Sequence, residues 1–378
     1  MARHYLDHAS TSPLRPAARD ALVAALDLGG GDPGRIHEEG MTARVALEQA
    51  REQVAALVGA RPREVVFTSG ATEAIASVAW GAARRGGHQV VTAVEHSAVP
   101  AAAARHGDVT VVGVDGHGRV DPDAVAAAIR DDTAVVHVQW GNHEVGTTQP
   151  VGAVVEAAHA RGVLVHVDAA QAVGRVPVDL RSLGADLVSL SGHKWGAPSG
   201  TGALLVRRGL RLEPLLVGSD QERARRAGME AVPALVGLGA AAASLLDGTL
   251  AAEEAEARRL TDRVLAGVAD LDVRVHGDPV DRLPHLVCLG FDDVEPQAVL
   301  LGLDRAGVAV HSGSACSSES LEPSPTLAAM GVDALRSLRV SVGWSTTDAD
   351  VDALLAALPE VLRGLRALRR RGPAHPSG

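Results

Sequence analysis

The order of apolar runs along the first 210 residues constrains the fold most strongly. Short runs rich in β-branched residues alternate there with alanine-rich, helix-sized segments such as 71–85 and 151–161. This alternation is typical of an α/β domain with a mostly parallel sheet. The predicted strands cover residues 64–68, 89–94, 109–114, 134–138, 163–167, 187–190 and 203–206. Because such sheets bind ligands beyond the C-terminal ends of their strands, the residues that follow each strand are the first candidates for a site.

The pattern changes from about residue 251 onward. A long amphipathic helix comes first, then three short strands in the segments RVHG, HLVCLGF and GVAVHS, and finally a helix over 348–370. This order predicts a smaller α+β domain. We therefore expect a large domain over 14–249 and a small domain formed by 1–13 together with 250–378.

The charge and cysteine content exclude several classes of protein. The chain has 46 acidic and 36 basic residues and a net charge of -10, which disfavours a nucleic-acid or anionic-membrane surface. No stretch reaches about 18 consecutive apolar residues, so no membrane span is predicted. Two cysteines cannot build a disulfide framework, and the first ten residues lack the apolar core of a signal peptide. We expect a cytoplasmic protein.

Lysine is almost absent from the chain. The 36 basic residues include a single lysine, Lys194, so the other 35 are arginine. Arginine replaces lysine where any positive charge serves, but it stays protonated and cannot act as an amine nucleophile, whereas a lysine whose pKa is lowered can form a Schiff base. Lys194 also follows a buried strand among small and aromatic residues, instead of lying on a charged surface. It is therefore a candidate chemical residue.

Two further segments follow predicted strands. The sequence SGATE at 69–73 opens a helix, and its small residues and helix N-terminus suit an anion such as a phosphate. Taken alone, a simple helix cap is the better reading of this segment. Asp168 directly follows the strand VLVHV, where it is either a site carboxylate or, equally, a helix-cap or turn residue.

The two cysteines differ in their surroundings. Cys316 lies in the glycine- and serine-rich segment GVAVHSGSACSSES, where a thiolate can act as a nucleophile, whereas Cys288 in LVCLGF has the setting of a buried apolar residue. His4 and His8 have i, i+4 spacing, but no HExxH pattern accompanies them. We predict no catalytic metal.

Taken together, these motifs resemble the cysteine desulfurases of the NifS and IscS group, within the class V aminotransferase superfamily. The matching segments run in order along nearly the whole chain: YLDHASTSPLRP, GRIHEEG, FTSGATE, EHSAV, NHEVGTTQP, HVDAAQAVG, SGHKWGAPSGTGAL, HSGSACSSESLEPS and LRVSVGWSTT. The resemblance implies the fold type I architecture of pyridoxal-phosphate enzymes, with a mostly parallel seven-stranded sheet flanked by helices. It also implies a smaller C-terminal domain that carries the catalytic cysteine.

The resemblance implies a role for each candidate residue in binding pyridoxal 5'-phosphate. Lys194 would form the Schiff base, Asp168 would pair with the pyridine nitrogen so that the ring acts as an electron sink, and His96 would stack on the ring and assist proton transfer. The remaining implied contacts are Ala71, Thr72, Ser191 and His193 for the phosphate, and Gln171 and His143 for the ring O3'.

On the substrate side, the resemblance implies that L-cysteine is converted to L-alanine. Arg339 would clamp the substrate carboxylate, with an ordinary salt bridge as the alternative, and Asn142 and His143 would lie beside the substrate. Cys316 would attack the substrate sulfur, become a persulfide and deliver the sulfur to an acceptor protein that the sequence does not identify. Related enzymes are homodimers, so we expect a homodimer.

Three departures from the family pattern leave alternatives open. After SGATE, Ala74, Ile75 and Ala76 stand where the family has SNN. His143 stands where the family has Asn, and Met229 stands where a Thr from the partner subunit usually reaches the phosphate. A changed substrate contact is compatible with another class V reaction, such as selenocysteine lysis, cysteine-sulfinate cleavage or transamination. A non-catalytic scaffold is the third alternative, against which Lys194, Asp168 and His96 argue together.

Overall fold

The computed structural model describes residues 3–27, 30–312 and 323–371. The α-helices within these ranges are α1 (Pro16–Leu26), α2 (Glu38–Leu57), α3 (Ala71–Ala83), α4 (Ala98–His106), α5 (Pro122–Ala128), α6 (Val151–His159), α7 (Leu180–Leu183), α8 (Gln221–Ala224), α9 (Val232–Ala243), α10 (Thr249–Val268), α11 (Pro296–Arg305), α12 (Pro325–Ala329) and α13 (Asp348–Arg371). The strands are β1 (His4–Tyr5), β2 (Val65–Thr68), β3 (His88–Thr92), β4 (Asp108–Val112), β5 (Thr133–Gln139), β6 (Leu164–Asp168), β7 (Leu187–Ser191), β8 (Gly202–Val206), β9 (Arg274–His276), β10 (Leu286–Gly290), β11 (Val308–Ala309), β12 (His311–Ser312) and β13 (Ser337–Ser341).

The large sheet has seven strands in the order β2-β8-β7-β6-β5-β3-β4. Strands β3 to β7 run parallel to one another, and β8 runs antiparallel between β7 and β2. The predicted α/β fold with a mostly parallel seven-stranded sheet is therefore confirmed. The strand predicted over 64–68 begins one residue late, because Pro62–Glu64 closes a 3-10 turn before it.

Helices cover both faces of this sheet. Alternate residues of β2 show the arrangement: Val65 and Phe67 belong to the main core, whereas Val66 packs in a second cluster with Ala74 and Val78 of α3. Strands buried on both faces need apolar residues at every position, which explains why the sequence carries continuous apolar runs instead of a polar-apolar alternation. The C-terminal ends of the central parallel strands all lie at one edge of the sheet.

The C-terminal part forms a separate four-stranded antiparallel sheet in the order β12-β13-β10-β9. Its core is a further cluster, distinct from the two around the large sheet, and it is built from β10, β13 and apolar residues of α10, α11 and α13. The N-terminal strand β1 pairs in parallel with β11. This pairing joins residues near the N-terminus to the C-terminal part, and the boundaries at 13 and 249 stay predictions.

Long apolar helices are not found in the described ranges. None of their helices has the length and hydropathy needed to cross a membrane.

Two buried imidazoles lie side by side in the middle of the large sheet. His137 Nδ1 is 2.9 Å from His166 Nδ1, and His137 Nε2 is 2.9 Å from Gln89 Oε1. Gln89 uses its amide nitrogen to donate to the Ala79 carbonyl, so its oxygen must accept the hydrogen bond that His137 Nε2–H donates. Because His137 carries its proton on Nε2, its Nδ1 accepts a hydrogen bond from the protonated Nδ1 of His166. Each ring then carries one proton and is neutral. Burial lowers the pKa of His137 to about 3 and that of His166 well below its usual value.

This pair predicts an acid-sensitive fold. A histidine whose folded pKa lies below its unfolded value of about 6.5 stabilises the protein fully at pH values above 6.5, and its contribution is lost as the pH falls toward the folded pKa. The loss is up to about 1.4 kcal/mol per pH unit for each group. His166→Leu, which removes one of the two groups, is expected to flatten the fall of the urea midpoint between pH 6.5 and 5. Identical pH slopes for the wild type and the variant would contradict this assignment.

Candidate active site

A cavity of about 450 Å³ opens at the C-terminal edge of the parallel strands. Its wall is formed by the ends of β2, β5, β6 and β7 and by the first turn of α3. Nine of the predicted site residues line it: Ala71, Thr72, His96, His143, Asp168, Gln171, Ser191, His193 and Lys194. These residues come from five separate segments of the chain, at 71–72, 96, 143, 168–171 and 191–194, and the strand order of the sheet brings the segments together.

Lys194 lies in the 3-10 turn Gly192–Trp195, which follows β7 directly. Its Nζ donates hydrogen bonds to the carbonyls of Ala9 (2.7 Å) and Ser10 (3.0 Å). Burial, together with the nearby charge of Arg339, lowers the pKa of Lys194 to about 8. About a tenth of the amine is therefore unprotonated at pH 7, far more than for an ordinary lysine, and this is the form that attacks a carbonyl carbon.

Asp168 is the last residue of β6, and it faces the cavity from the neighbouring strand. Its Oδ1 accepts hydrogen bonds from the Ser189 hydroxyl of β7 (2.9 Å) and from the Ala170 amide (3.1 Å). These two donors fix the carboxylate in one orientation. An oriented carboxylate at this edge can hold a proton on a heterocyclic nitrogen.

The N-terminus of α3, with residues 69–73, borders the cavity beside Ser191, and we call this segment the α3 cradle. Ala71 is the first residue of this helix, so the amides of its first turn have no acceptor within the helix and face the cavity. The cradle requires close backbone contact: a Cβ added at Gly202 would lie 2.6 Å from the Cα of Gly70. Only glycine at position 202 lets β8 approach the helix start this closely. The sequence reading of SGATE as a plain helix cap is incomplete, since no side chain caps this helix.

His96 and His143 approach each other at the mouth of the cavity. Their ring centroids are 5.2 Å apart with an interplanar angle of 66°, an edge-to-face contact. The Nδ1 of His96 accepts a hydrogen bond from the Ala98 amide at 3.2 Å, which fixes the ring just before α4. His143 Nε2 is 3.5 Å from Glu144 Oε1. An Asn at position 143 would not make this ring contact, so the departure from the family pattern changes how His96 is packed.

Gln171 and His193 connect the cavity to the N-terminal segment. The Gln171 amide donates to the Ala9 carbonyl at 2.8 Å, and its oxygen lies 3.2 Å from His285 Nε2. His193 Nδ1 is 3.2 Å from the Thr11 hydroxyl. Burial, with the charge of Lys194 second, lowers the pKa of His193 to about 4, so this imidazole is neutral at physiological pH.

Asn142 and Arg339 lie outside the cavity lining. The side chain of Asn142 is fully buried: its amide donates to Val94 O, and its oxygen accepts from the amides of Glu144 and Val145. Asn142 therefore shapes the loop that presents His143, and it makes no contact with the cavity.

Arg339 is buried behind the N-terminal segment. Its Nη2 donates to Asp7 Oδ1 (3.0 Å) and to the Ser10 hydroxyl (2.7 Å), and its Nη1 donates to the His143 carbonyl (2.8 Å). The structure thus contains the salt bridge that the sequence left as the alternative. The carboxylate clamp stays a prediction, and it requires Arg339 to exchange Asp7 for the substrate.

Cys316 lies outside the described residues. The Ser324 hydroxyl, within the described residues, donates to Glu144, the neighbour of His143. Cys288 in β10 is fully buried, and burial, followed by the charge of Glu144, raises the pKa of its thiol to about 12. The prediction that Cys288 is a core residue is confirmed.

Several residues of the site were missed by the sequence analysis. Gln139 ends β5 and lines the cavity, and Glu73 lines it from the first turn of α3. Glu95 is buried beside His96, and its Oε1 accepts from Thr92 and from the Gln139 amide. Burial raises the pKa of Glu95 to about 8. The strand-end position that singled out Asp168 could also have found Gln139.

No group of three or more His, Cys, Asp or Glu side chains within residues 3–27, 30–312 and 323–371 is arranged to hold a metal ion.

Fold and site together define an α/β protein with a buried lysine, an oriented carboxylate and a helix N-terminus around one cavity at the carboxyl edge of its sheet. The chain belongs to the aminotransferase class-V family, whose model matches residues 4–354. It is 43% identical to a cysteine desulfurase of Cereibacter sphaeroides, over 97% of this chain and 98% of that protein. It is also 38% identical to the cysteine desulfurase IscS of Methanosarcina thermophila, over 96% and 92%.

Solved structures agree with these relatives. The apo structure of cysteine desulfurase from Thermococcus onnurineus NA1 superposes with a TM-score of 0.86 at 25% identity, covering 96% of this chain and 95% of that one. A NifS-like protein superposes with a TM-score of 0.89 at 29% identity, over 96% and 100%. The family resemblance predicted from the motifs is confirmed.

Proposed function

We propose that this chain is a pyridoxal-phosphate-dependent cysteine desulfurase that converts L-cysteine to L-alanine. The observation that carries the proposal is the convergence of Lys194, Asp168 and the α3 cradle on one cavity. A lysine with a lowered pKa suits an aldehyde, an oriented carboxylate suits a pyridine nitrogen, and a helix N-terminus suits a phosphate. These three groups line one cavity, and in chemistry they match the aldehyde, the ring nitrogen and the phosphate of a phosphorylated pyridine aldehyde.

Each residue has a defined task in this reaction. When bound, the cofactor supplies an electron sink that stabilises negative charge at the substrate Cα. Asp168 would hold a proton on the ring nitrogen, and His96 would lie beside the ring. The Nζ of Lys194 would hold the cofactor aldehyde, and as a free amine it would accept the Cα proton of the substrate. The Cys316 thiolate attacks the substrate sulfur, the bond between Cβ and sulfur breaks, and protonation of the remaining fragment gives alanine.

The atom balance of the reaction shows that the sulfur left on Cys316 must be removed before the next turnover. One cysteine and the Cys316 thiol give one alanine and one persulfide on Cys316, with no external oxidant. A thiol reductant or an acceptor protein must then remove the sulfur before the next turnover. We propose an acceptor protein as the physiological partner and a homodimer as the assembly. We also propose the cytoplasm as the location, with which the low cysteine content agrees.

The proposal is tested by incubating the purified, cofactor-loaded protein with L-cysteine and dithiothreitol. Alanine and sulfide are expected in equal amounts, and a short incubation without reductant should add 32 Da, about the mass of one sulfur atom, to a single peptide. Formation of pyruvate and ammonia in place of alanine would contradict the proposal.

Asp168→Asn is expected to slow turnover by about 10- to 100-fold, because a hydrogen bond to a charged group contributes about 1.5–3 kcal/mol. The asparagine keeps the volume of the side chain but cannot hold the proton on the ring nitrogen. Ser189→Ala removes only the hydroxyl that orients the carboxylate and should cause a smaller loss. Steady-state alanine production measures both, and equal rates for Asp168→Asn and the wild type would exclude this role for Asp168.

A further inference from the structure

A left-handed turn lies close to the cofactor cradle. In the four-residue element α8, Glu222, Arg223 and Ala224 have φ values of 47°, 59° and 59°, so this element is not a regular right-handed helix. Residues with a Cβ disfavour this region, and three consecutive examples without glycine need strong anchors. Such anchored, strained backbone is found preferentially at functional sites.

The principal anchor is a buried ion pair. Arg51 Nη1 and Nη2 donate to the two carboxylate oxygens of Glu222, each at 2.7 Å, and the side chains are only 2% and 1% exposed. Glu222 Oε2 also accepts the Phe67 amide of β2 at 2.9 Å. The turn is thereby fastened to the strand that leads into the cradle.

Arg226 follows this turn and contacts the cradle through Glu73. Its Nε donates to Glu73 Oε1 at 2.8 Å, and its Nη2 lies 3.4 Å from Oε2. Glu73 Oε2 in turn accepts the Ser69 amide at 2.8 Å. Glu73 and Ser69 both line the cavity. Two successive contacts, from Arg226 to Glu73 and from Glu73 to Ser69, therefore connect Arg226 to the loop that begins the cradle.

The contact between Arg226 and Glu73 also determines the net charge beside the cradle. Burial by itself raises the pKa of Glu73, but the hydrogen bonds from Arg226 and Ser69 outweigh it and hold the pKa below its usual range. The carboxylate is therefore ionised in the first turn of α3, in the segment to which the proposed function assigns the phosphate. An uncompensated negative charge there would repel the phosphate, and the Arg226 guanidinium compensates it.

We infer that Arg226 is a positioning residue of the phosphate cradle, which neutralises Glu73 and through it fixes the Ser69 backbone. This inference rests on the proposed function, because it requires a phosphorylated ligand in the cavity. Glu73 alone would favour the loop geometry but disfavour the anion. With Arg226 in place, the same carboxylate organises the loop at no electrostatic cost to the ligand.

The test is a double-mutant cycle read as the affinity of the apoprotein for pyridoxal 5'-phosphate. Arg226→Gln leaves Glu73 charged and uncompensated, and is expected to weaken binding by about tenfold. Glu73→Gln should bind about as well as the wild type, because a glutamine oxygen still accepts the Ser69 amide. The double variant should recover to within about threefold of the wild type, which is the coupling that the ion pair predicts.

Two controls separate positioning from general damage. Arg223→Gln removes the Arg223–Glu48 ion pair (3.0 Å) from the same turn without touching the cradle, and its affinity should equal that of the wild type. Arg226→Lys keeps the charge and should retain most of the affinity. Pyridoxal, which lacks the phosphate, should bind the wild type and Arg226→Gln within about twofold of each other.

Three results would overturn the inference. The first is an unchanged affinity of Arg226→Gln for pyridoxal 5'-phosphate. The second is an equal loss for pyridoxal, which would mean that the cavity as a whole is disturbed. The third is a wild-type protein that binds neither aldehyde, which would contradict the proposed function and this inference with it.

Discussion

Replacing Lys194 by alanine is expected to reduce alanine formation from L-cysteine by about 10³-fold or more, because no other lysine exists in the chain to replace its amine. The variant should still bind pyridoxal 5'-phosphate weakly through Asp168 and the α3 cradle. It should lack the visible absorption band of the covalently attached cofactor. Borohydride treatment followed by peptide mass analysis should label the Lys194 peptide in the wild type and no peptide in the variant.

Lys194→Arg is the matched control. Arginine keeps a cation that can donate to the Ala9 and Ser10 carbonyls, but it stays protonated and cannot attack the aldehyde. It should therefore preserve the thermal midpoint better than alanine and be equally inactive. Turnover by either variant at a rate near that of the wild type would refute the assignment of Lys194.

Much of the site was predictable because it obeys two simple rules. Parallel strands place the residues after their C-terminal ends at one edge of the sheet, which brings Asp168 and Lys194 together although 26 positions separate them. The second rule is chemical, since a chain that uses arginine everywhere else keeps lysine only where an amine is required. Both rules depend on local sequence and on the strand order, and neither requires side-chain packing.

The parts that sequence reasoning missed depend on contacts between distant residues. Asn142 is next to His143, but the loop turns its side chain inward to Val94 and to its own backbone. Arg226 and Glu73 are 153 residues apart, and their contact depends on a left-handed turn. The residues of that turn are not glycine, so the sequence carries no signal for it. No periodicity or motif predicts such a turn, because the buried Arg51–Glu222 pair imposes it.

Replacing Cys316 by serine should abolish sulfide release and persulfide formation while leaving cofactor binding intact. The serine hydroxyl has nearly the size of the thiol, but it cannot form the bond to the substrate sulfur. We expect alanine formation to fall by about 10²-fold or more, because breakage of the bond between Cβ and sulfur then lacks its acceptor. The absorbance of the bound cofactor should be unchanged, so the loss can be assigned to sulfur transfer alone.

Cys288→Ser provides the matched control within the same chain. The Cys288 thiol is buried in β10 with a pKa raised to about 12, so it is neither ionised nor accessible, and its replacement should leave persulfide formation on Cys316 unchanged. The pair of variants also separates the proposed reaction from its alternatives. Selenocysteine lysis, sulfinate cleavage and transamination do not require a protein thiol. Full product formation by Cys316→Ser would therefore reject the persulfide route and move the assignment to one of these reactions, with His143 the first residue to examine for the change in substrate.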